Sequence, residues 1–198
     1  MKIFLGDLVH TWEQTGTWTI PLNIGYVASY TSKYLNKAGI DSDFKLFKDP
    51  QKMIDCIKSE KPDVVGLAHY VWNMKLNHRV FEIVKKYVPN ALTIGGGPYF
   101  TDLNANEKGA REFFSMYHNC DAYIVNQGEK GFFELIKVFI SLNKNLDQFR
   151  KNNIAGSLVN DLKKNNKVYI GKNIGTLSDL NDIPSPYLFK NRAEIGRA

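Results

Sequence analysis

The sequence predicts an α/β fold in which five parallel strands are covered by helices on both faces. Short apolar runs alternate with amphipathic segments five times, and most of the connections between them are short. The run at residues 64–68 is apolar without alternation, as expected for a central parallel strand that is buried on both faces. We therefore predict a flavodoxin-like (Rossmann-like) five-stranded parallel sheet with the strand order 2-1-3-4-5.

The predicted strands lie at residues 2–6, 40–47, 64–68, 91–94 and 121–125. Apolar residues at helical spacing mark the segments between them as helices. The first helix begins at Pro21 and is closed by Gly39, and the second begins at Pro50, because proline is favoured where the first N–H of a helix lacks a partner. The later helices are indicated by apolar residues at 76–87, 104–117 and 132–139.

The character of the sequence changes after residue 145. Residues 156–160 and 167–171 flank a polar Lys/Asn turn and predict a small β-hairpin outside the five-stranded sheet. Residues 177–187 include Pro184 and Pro186, which indicate an extended linker. We therefore divide the chain into a ligand-binding domain, 1–145, and a hairpin with a linker, 146–198. No packed element follows for the linker to join, so we expect the chain to be a fragment of something larger.

The composition is that of an ordinary globular protein, with 43% hydrophobic and 23% charged residues. No run approaches the ~18 apolar residues of a membrane span, and the first residues lack the order of a signal peptide. Two cysteines without a CxxC spacing, Cys56 and Cys120, favour a reducing compartment over a disulfide framework or a thiolate metal site. The sequence thus predicts a cytoplasmic protein.

The net charge of +6 is unevenly distributed. Residues 1–136 carry 15 Lys/Arg and 15 Asp/Glu, whereas residues 137–198 carry 11 and 5. Nucleic-acid-binding faces are usually clustered and interleaved with aromatic residues. Here the lysines lie in Asn/Lys-rich loops, so we predict a solvated surface and no nucleic-acid partner.

Four loops follow the carboxyl ends of the first, third, fourth and fifth strands and should line one rim, where ligands bind in open parallel sheets. They comprise residues 7–20, 69–73, 95–99 and 126–129. The first is far longer than the usual βα connection of about 2–6 residues. All three tryptophans lie in these loops, which suits a large, flat, partly apolar ligand, although each ring by itself is also compatible with capping the core.

Three consecutive glycines, Gly95–Gly97, follow the fourth strand and precede Pro98. Glycine lacks a Cβ, so a ligand can approach the backbone closely. A tight strand-to-helix turn is the alternative explanation. The position of the glycines at the predicted rim favours a ligand site.

These motifs together resemble the N-terminal cobalamin-binding domain of B12-dependent radical SAM enzymes. Residues 21–28 are similar to the family's Pro-Leu-Gly-x-Tyr-Ile/Leu-Ala, and residues 61–67 to its Pro-Asp-Val-Val-Gly-Ile. Residues 95–99 resemble Gly-Gly-Pro-His, and residues 125–129 the Gly-Glu-Gly-Glu turn. Residues 180–187 are similar to the link into the radical SAM barrel. The resemblance covers nearly the whole chain, although each motif is weak singly.

The resemblance implies a cobalamin-binding role in an enzyme that is most commonly a methyltransferase. The partner would be the chain's own missing radical SAM domain. The CxxxCxxC motif is absent, so S-adenosylmethionine and the 4Fe-4S cluster would belong to the full-length parent, and this chain alone would be inactive. The sequence does not indicate the substrate, the reaction of the parent, the oligomeric state, or whether the fragment retains cobalamin without the barrel.

The chain differs from other cobalamin-binding domains in a second way, which concerns the ligand on the lower face of cobalt. Methionine-synthase-type domains place histidine on cobalt with Asp-x-His-x-x-Gly, whereas here His10 lies three positions after Asp7, and Trp12 stands where glycine should be. We expect base-off cobalamin without a histidine ligand. A loop geometry that brings His10 or His69 near the metal is the alternative.

The glycines would admit the cofactor's nucleotide tail, helix starts near Asn23, Asn73 and Gly128 would hold its phosphate and ribose, and the aromatic loops would support the corrin. Glu129 is as well explained by the helix dipole. No catalytic residue and no metal ligand is assigned. The candidate cofactor-binding residues are Asp7, His10, Thr11, Trp12, Trp18, Leu22, Asn23, His69, Tyr70, Trp72, Asn73, Gly95, Gly96, Gly97, Pro98, Tyr99, Gln127, Gly128 and Glu129.

Three other functions compete. A response-regulator receiver requires an aspartate at the end of the third strand, where this chain has Ala68 and His69. A flavodoxin-like FMN site is the stronger rival, because aromatic residues and a glycine loop also suit an isoalloxazine ring. Flavodoxins hold the FMN phosphate in a Ser/Thr-rich loop after the first strand, and here that loop contains Thr11, Thr15, Thr17 and Thr19. A docking module without a ligand leaves the glycines and aromatic residues unexplained.

Overall fold

The computed structural model describes residues 1–10, 21–101 and 104–188. The helices in this part are α1 (Leu22–Lys37), α2 (Pro50–Glu60), α3 (Met74–Tyr87), α4 (Glu107–Met116), α5 (Gly128–Ser141), α6 (Leu146–Phe149) and α7 (Leu162–Asn165). The strands are β1 (Lys2–Gly6), β2 (Asp43–Phe47), β3 (Val64–Ala68), β4 (Leu92–Gly96), β5 (Ala122–Ile124), β6 (Ser157–Asp161) and β7 (Lys167–Ile170). Two 3₁₀ turns follow at Leu180–Asp182 and Pro186–Leu188.

The described strands form one sheet in the order β2-β1-β3-β4-β5-β6-β7. The first five strands are parallel, which confirms the predicted order 2-1-3-4-5. After β1, the chain places β2 on one side of it and β3, β4 and β5 on the other side. The sheet therefore has a topological switch point between β1 and β3, at the carboxyl ends of these two strands.

The hairpin is joined to the sheet, which differs from the prediction that it lies outside. β6 pairs antiparallel with β5 and β7 pairs antiparallel with β6. All five residues of β6 are buried, and they cover the edge that β5 would otherwise expose. The division of the chain at residues 145 and 146 stays a prediction.

Alternating side chains of the central strands supply two cores, one on each face of the sheet. One core contains Ile3, Leu5 and Ile94 and packs against α1 and α5. The other contains Phe4, Val65 and Phe81 and packs against α2, α3 and α4. Both faces are therefore covered by helices, as predicted.

A buried cluster of ion pairs lies at the amino end of β5, whereas the rim loops lie at the carboxyl ends of the strands. The Asp121 side chain is 1% exposed and pairs with Lys85 and with Arg150, whose Nη2 lies 2.6 Å from Oδ1. The Thr93 backbone N–H donates to Asp121 Oδ2 over 2.9 Å. Burial would raise the pKa of Asp121, but the two cations and the hydrogen bonds outweigh burial and lower it.

The segment after β7 lies along α1. Lys33 Nζ lies 2.6 Å from Asp182 Oδ1, and Ser29 Oγ donates to the carbonyl of Pro184 over 2.8 Å. A Cβ on Gly25 would come within 3.0 Å of Pro186. The described end of the chain is thereby held beside the first turn of α1. None of the described helices combines the length and apolarity that crossing a membrane requires.

Candidate functional site

A cavity of about 310 Å³ lies at the carboxyl ends of β1, β3, β4 and β5, beneath the first turns of α1 and α5. This position coincides with the switch point of the sheet, where ligands of open α/β folds bind. Apolar side chains and glycines form most of its wall. The lining residues are Leu5, Asn23, Ile24, Val27, Gly66, Leu67, Ala68, Tyr70, Ile94, Gly95, Gly96, Gly97, Ile124, Asn126, Gln127, Gly128, Glu129 and Phe132.

The three glycines after the fourth apolar run have different local roles. An added Cβ on Gly96 would lie 3.6 Å from the Cβ of Ile124, which is an ordinary contact on the cavity side. A Cβ on Gly95 would lie 2.7 Å from Cε1 of His69, on the other side of the sheet. Gly97 has a φ of +145°, and its Cβ would lie 2.1 Å from the His69 carbonyl oxygen. Packing against His69 therefore accounts for two of the glycines, and Gly96 opens the cavity wall.

His69 is buried on the face of the sheet away from the cavity and does not line it. Its ring packs among Phe81, Phe113 and Tyr123, with centroids 5.4 to 6.2 Å away. Its Nδ1 has no hydrogen-bond partner among the described residues. Burial, with a smaller contribution from His78, lowers the pKa of His69 to about 3, so the ring is neutral at physiological pH.

Asn73 joins the loops that follow β1 and β3. Its buried Nδ2 donates to the carbonyls of Leu8 and Ala68, over 3.1 and 3.0 Å. Its Oδ1 accepts from the backbone N–H of Tyr70 over 2.8 Å and from Nδ2 of Asn77 over 3.2 Å. The side chain does not line the cavity but fixes the position of Tyr70, which does.

A pair of aromatic side chains stands at the cavity mouth. The rings of Tyr70 and Trp72 stack with centroids 4.7 Å apart and an interplanar angle of 2°. The Tyr70 hydroxyl accepts from Nδ2 of Asn23 over 2.9 Å, which links the third loop to the start of α1. Trp72 is 65% exposed, and its carbonyl lies 3.1 Å from Nε2 of His10. A stacked pair with one exposed ring offers a flat apolar surface to a ligand.

Asp7 lies just after β1 and is partly buried. Burial raises the pKa of Asp7, while Lys48 and a hydrogen bond with Asn23 oppose the rise. Its backbone N–H donates to the carbonyl of Phe47 over 2.9 Å. Asp7 therefore supports Asn23 without itself lining the cavity.

The start of α5 forms the opposite side of the mouth. Gln127 occupies the N-cap position, and its side chain makes no capping hydrogen bond to the helix. Instead its Nε2 donates to Oε2 of Glu129 over 2.8 Å. The first-turn N–H groups of α5 are thus left without a side-chain cap beside the cavity.

The structure brings eight of the candidate residues together in the cavity wall and places eight others outside it. Those in the wall are Asn23, Tyr70, Gly95, Gly96, Gly97, Gln127, Gly128 and Glu129. Those outside the wall are Asp7, His10, Leu22, His69, Trp72, Asn73, Pro98 and Tyr99. The remaining candidates, Thr11, Trp12 and Trp18, lie outside the described residues.

Sequence reasoning missed the floor of the cavity. It is made by apolar side chains that also belong to the core on the α1 and α5 face, and nothing in their spacing separates core from cavity wall. Asn126 was not among the candidate residues, although it lies in the predicted rim loop 126–129; the structure gives it a φ of +65°. The missed residues are Leu5, Ile24, Val27, Gly66, Leu67, Ala68, Ile94, Ile124, Asn126 and Phe132.

The fold is that of a doubly wound α/β domain with a cavity at its topological switch point. No family model matches the chain. The chain is 30% identical over 173 residues to the cobalamin-dependent radical SAM methyltransferase TokK of Streptomyces tokunonensis, covering 85% of this chain and 23% of that protein. It is 28% identical over 123 residues to 2-(S-pantetheinyl)-carbapenam-3-carboxylate methyltransferase of Streptantibioticus cattleyicolor, covering 59% of this chain and 16% of that protein.

A solved structure shares the fold. The cobalamin-dependent S-adenosylmethionine radical enzyme OxsB, with aqua-cobalamin and S-adenosylmethionine bound, superposes with a TM-score of 0.65 at 17% identity. The match covers 94% of this chain and 24% of that one. These matches confirm the resemblance to cobalamin-dependent radical SAM enzymes. The chain spans less than a quarter of the length of the curated relatives it matches.

Proposed function

We propose that this chain binds cobalamin at the cavity and is the cobalamin-binding part of a radical SAM enzyme, with methyl transfer as the reaction of the whole protein. The observation that carries this proposal is the open apolar cavity at the switch point, where Gly96 leaves the wall without a side chain. A cavity of about 310 Å³ with apolar walls and a few polar groups at its mouth suits a flat heteroaromatic group such as the dimethylbenzimidazole of the nucleotide tail.

Each part of the site has an assigned role in this proposal. Leu5, Ile94 and Phe132 would surround the tail's base, because they form the apolar floor. The uncapped N–H groups at the start of α5 would donate to uncharged oxygen atoms of the cofactor, such as those of the ribose. The stacked rings of Tyr70 and Trp72 would support the corrin and exclude water. When bound, cobalamin supplies a methyl-carrying cobalt centre.

Other parts of the whole protein would bind the iron–sulfur cluster and cleave S-adenosylmethionine. The sequence contains two cysteines, too few for a CxxxCxxC cluster motif. The substrate of the whole protein is set by those other parts, so no substrate is proposed from this cavity.

A visible spectrum tests the proposal directly. We expect protein mixed with hydroxocobalamin and then desalted to retain the corrinoid absorption, and protein mixed with FMN to emerge without flavin absorption. Retained flavin and lost corrinoid would favour the FMN-binding alternative. Loss of both ligands would favour a docking module, which leaves the cavity without a role.

We expect bound cobalt(II) cobalamin to show no nitrogen splitting in its electron paramagnetic resonance spectrum. Two observations support the absence of a histidine ligand. His69 lies behind Gly95 and is away from the cavity, and Nε2 of His10 is already placed against the carbonyl of Trp72. The measurement compares the parent chain with His10→Ala and with His118→Ala. His118 serves as the control because it is exposed and lies in the connection between α4 and β5, away from the cavity.

Identical unsplit spectra for all three proteins would agree with base-off binding and no histidine ligand. Nitrogen splitting that disappears in His10→Ala and persists in His118→Ala would show that His10 binds cobalt. Splitting that persists in both variants would indicate another nitrogen ligand, such as the benzimidazole of a base-on cofactor.

A further inference from the structure

The cavity wall carries one acidic side chain and no cationic one. Among the described lining residues, Glu129 is acidic, and none is Lys, Arg or His. Lys130 follows Glu129 in the sequence, but its Nζ donates to the carbonyl of Thr176 and is not part of the wall.

The position of Glu129 has an electrostatic consequence. The start of a helix carries a partial positive charge and normally favours anionic ligands. Glu129 lies in the first turn of α5 and brings a full negative charge to this helix start. Its Oε2 accepts from Nε2 of Gln127 over 2.8 Å, and Glu129 lines the cavity. The helix start thus keeps its N–H donors but no longer attracts a second anion.

The polar groups at the mouth are suited to a neutral partner that both donates and accepts hydrogen bonds. The helix N–H groups donate, and the carboxylate of Glu129 accepts. A primary carboxamide satisfies both kinds of group, whereas a ligand carboxylate would face Glu129 with like charge. Like charges brought together in a partly desolvated site oppose binding.

We propose that Glu129 is a specificity-determining residue that makes this site prefer uncharged carboxamide edges over carboxylate edges of its ligand. The inference rests on the proposed function, since the corrin ring of cobalamin carries peripheral acetamide and propionamide groups. Glu129 would thereby distinguish fully amidated cobalamin from corrinoids that retain free acid side chains. The proposal concerns ligand choice and assigns Glu129 no part in the reaction.

Competition between two corrinoids tests this proposal. The probes are hydroxocobalamin and its monocarboxylates, in which one peripheral amide has been hydrolysed, and the readout is the ratio of their Kd values on the same protein. A ratio measured on one protein cancels any loss of folded fraction. We expect the parent chain to prefer the amide by about tenfold or more, the scale of a close like-charge contact.

The matched variants are Glu129→Gln and Glu134→Gln, which lie on the same helix. Glu134 is outside the cavity wall and pairs with Lys137. We expect the preference to fall to about threefold or less in Glu129→Gln and to stay unchanged in Glu134→Gln. Equal affinities in the parent chain, or an undiminished preference in Glu129→Gln, would overturn the inference while leaving the proposed function intact. Failure of the parent chain to bind either corrinoid would overturn the proposed function.

Discussion

Replacing Gly96 by valine is expected to remove most of the chain's capacity to retain cobalamin while leaving the fold intact. Gly96 ends β4 and faces the cavity, and the position beside Ile124 has room for a Cβ but not for a branched side chain together with a ligand. Overfilling a packed space by such groups costs about 1–3 kcal/mol, which corresponds to roughly 5- to 150-fold in affinity. The measurement is the Kd for hydroxocobalamin from spectral titration, with circular dichroism to monitor the fold.

Two neighbouring variants make the Gly96 result interpretable. Gly96→Ala adds a Cβ at an ordinary contact distance, so its Kd should lie between those of the parent chain and the valine variant. Gly95→Ala would place its Cβ 2.7 Å from the His69 ring, so this variant should lose stability although its Cβ points away from the cavity. Parent-like affinity in a folded Gly96→Val protein would place the cobalamin tail outside this cavity.

Of the substitutions proposed, Asp121→Asn is expected to cause the largest decrease in the free energy of unfolding. The substitution leaves Lys85 and Arg150 partly buried without their shared counterion, and breaking a buried ion pair costs about 3–5 kcal/mol. Urea denaturation at pH 7 measures the change in the free energy of unfolding. Asp147→Asn is the control, because Asp147 also pairs with Arg150 but is exposed, so its loss should have little effect. A midpoint for Asp121→Asn equal to that of the control would contradict the structural role of the cluster.

We also expect the difference in stability between the parent chain and Asp121→Asn to depend on pH. The pKa of Asp121 is lower in the folded chain than in the unfolded chain, so its ionisation stabilises the fold above the unfolded value of about 3.9. This stabilisation is lost as the pH falls through the lower, folded pKa. The stability advantage of the parent chain over Asp121→Asn should therefore be constant near neutrality and shrink below about pH 4. An advantage that persists unchanged at pH 3 would indicate that packing, rather than charge, accounts for it.

The parallel sheet and its order were predictable because they depend on local patterns. Apolar runs such as Val64–Ala68 separated by amphipathic segments allow few chain paths other than a doubly wound sheet. The position of the cavity was predictable for the same reason, since the loops after β1, β3, β4 and β5 must meet at the carboxyl ends of the strands once these are parallel. The relationship to cobalamin-dependent radical SAM enzymes followed from short motifs along the chain, two of which, at residues 95–99 and 125–129, include these loops.

Only the tertiary structure determined the features that depend on which face of the sheet a residue lies on. The sequence contains three equivalent glycines, but strand alternation and the position of His69 make Gly96 the member that opens the cavity. His69 is a candidate ligand by sequence and is buried on the opposite face by structure. The hairpin joins β5 because a buried strand can complete an open edge, and nothing local specifies that pairing. Asp121, Lys85 and Arg150 are brought together from distant positions because burial of one charge requires the others.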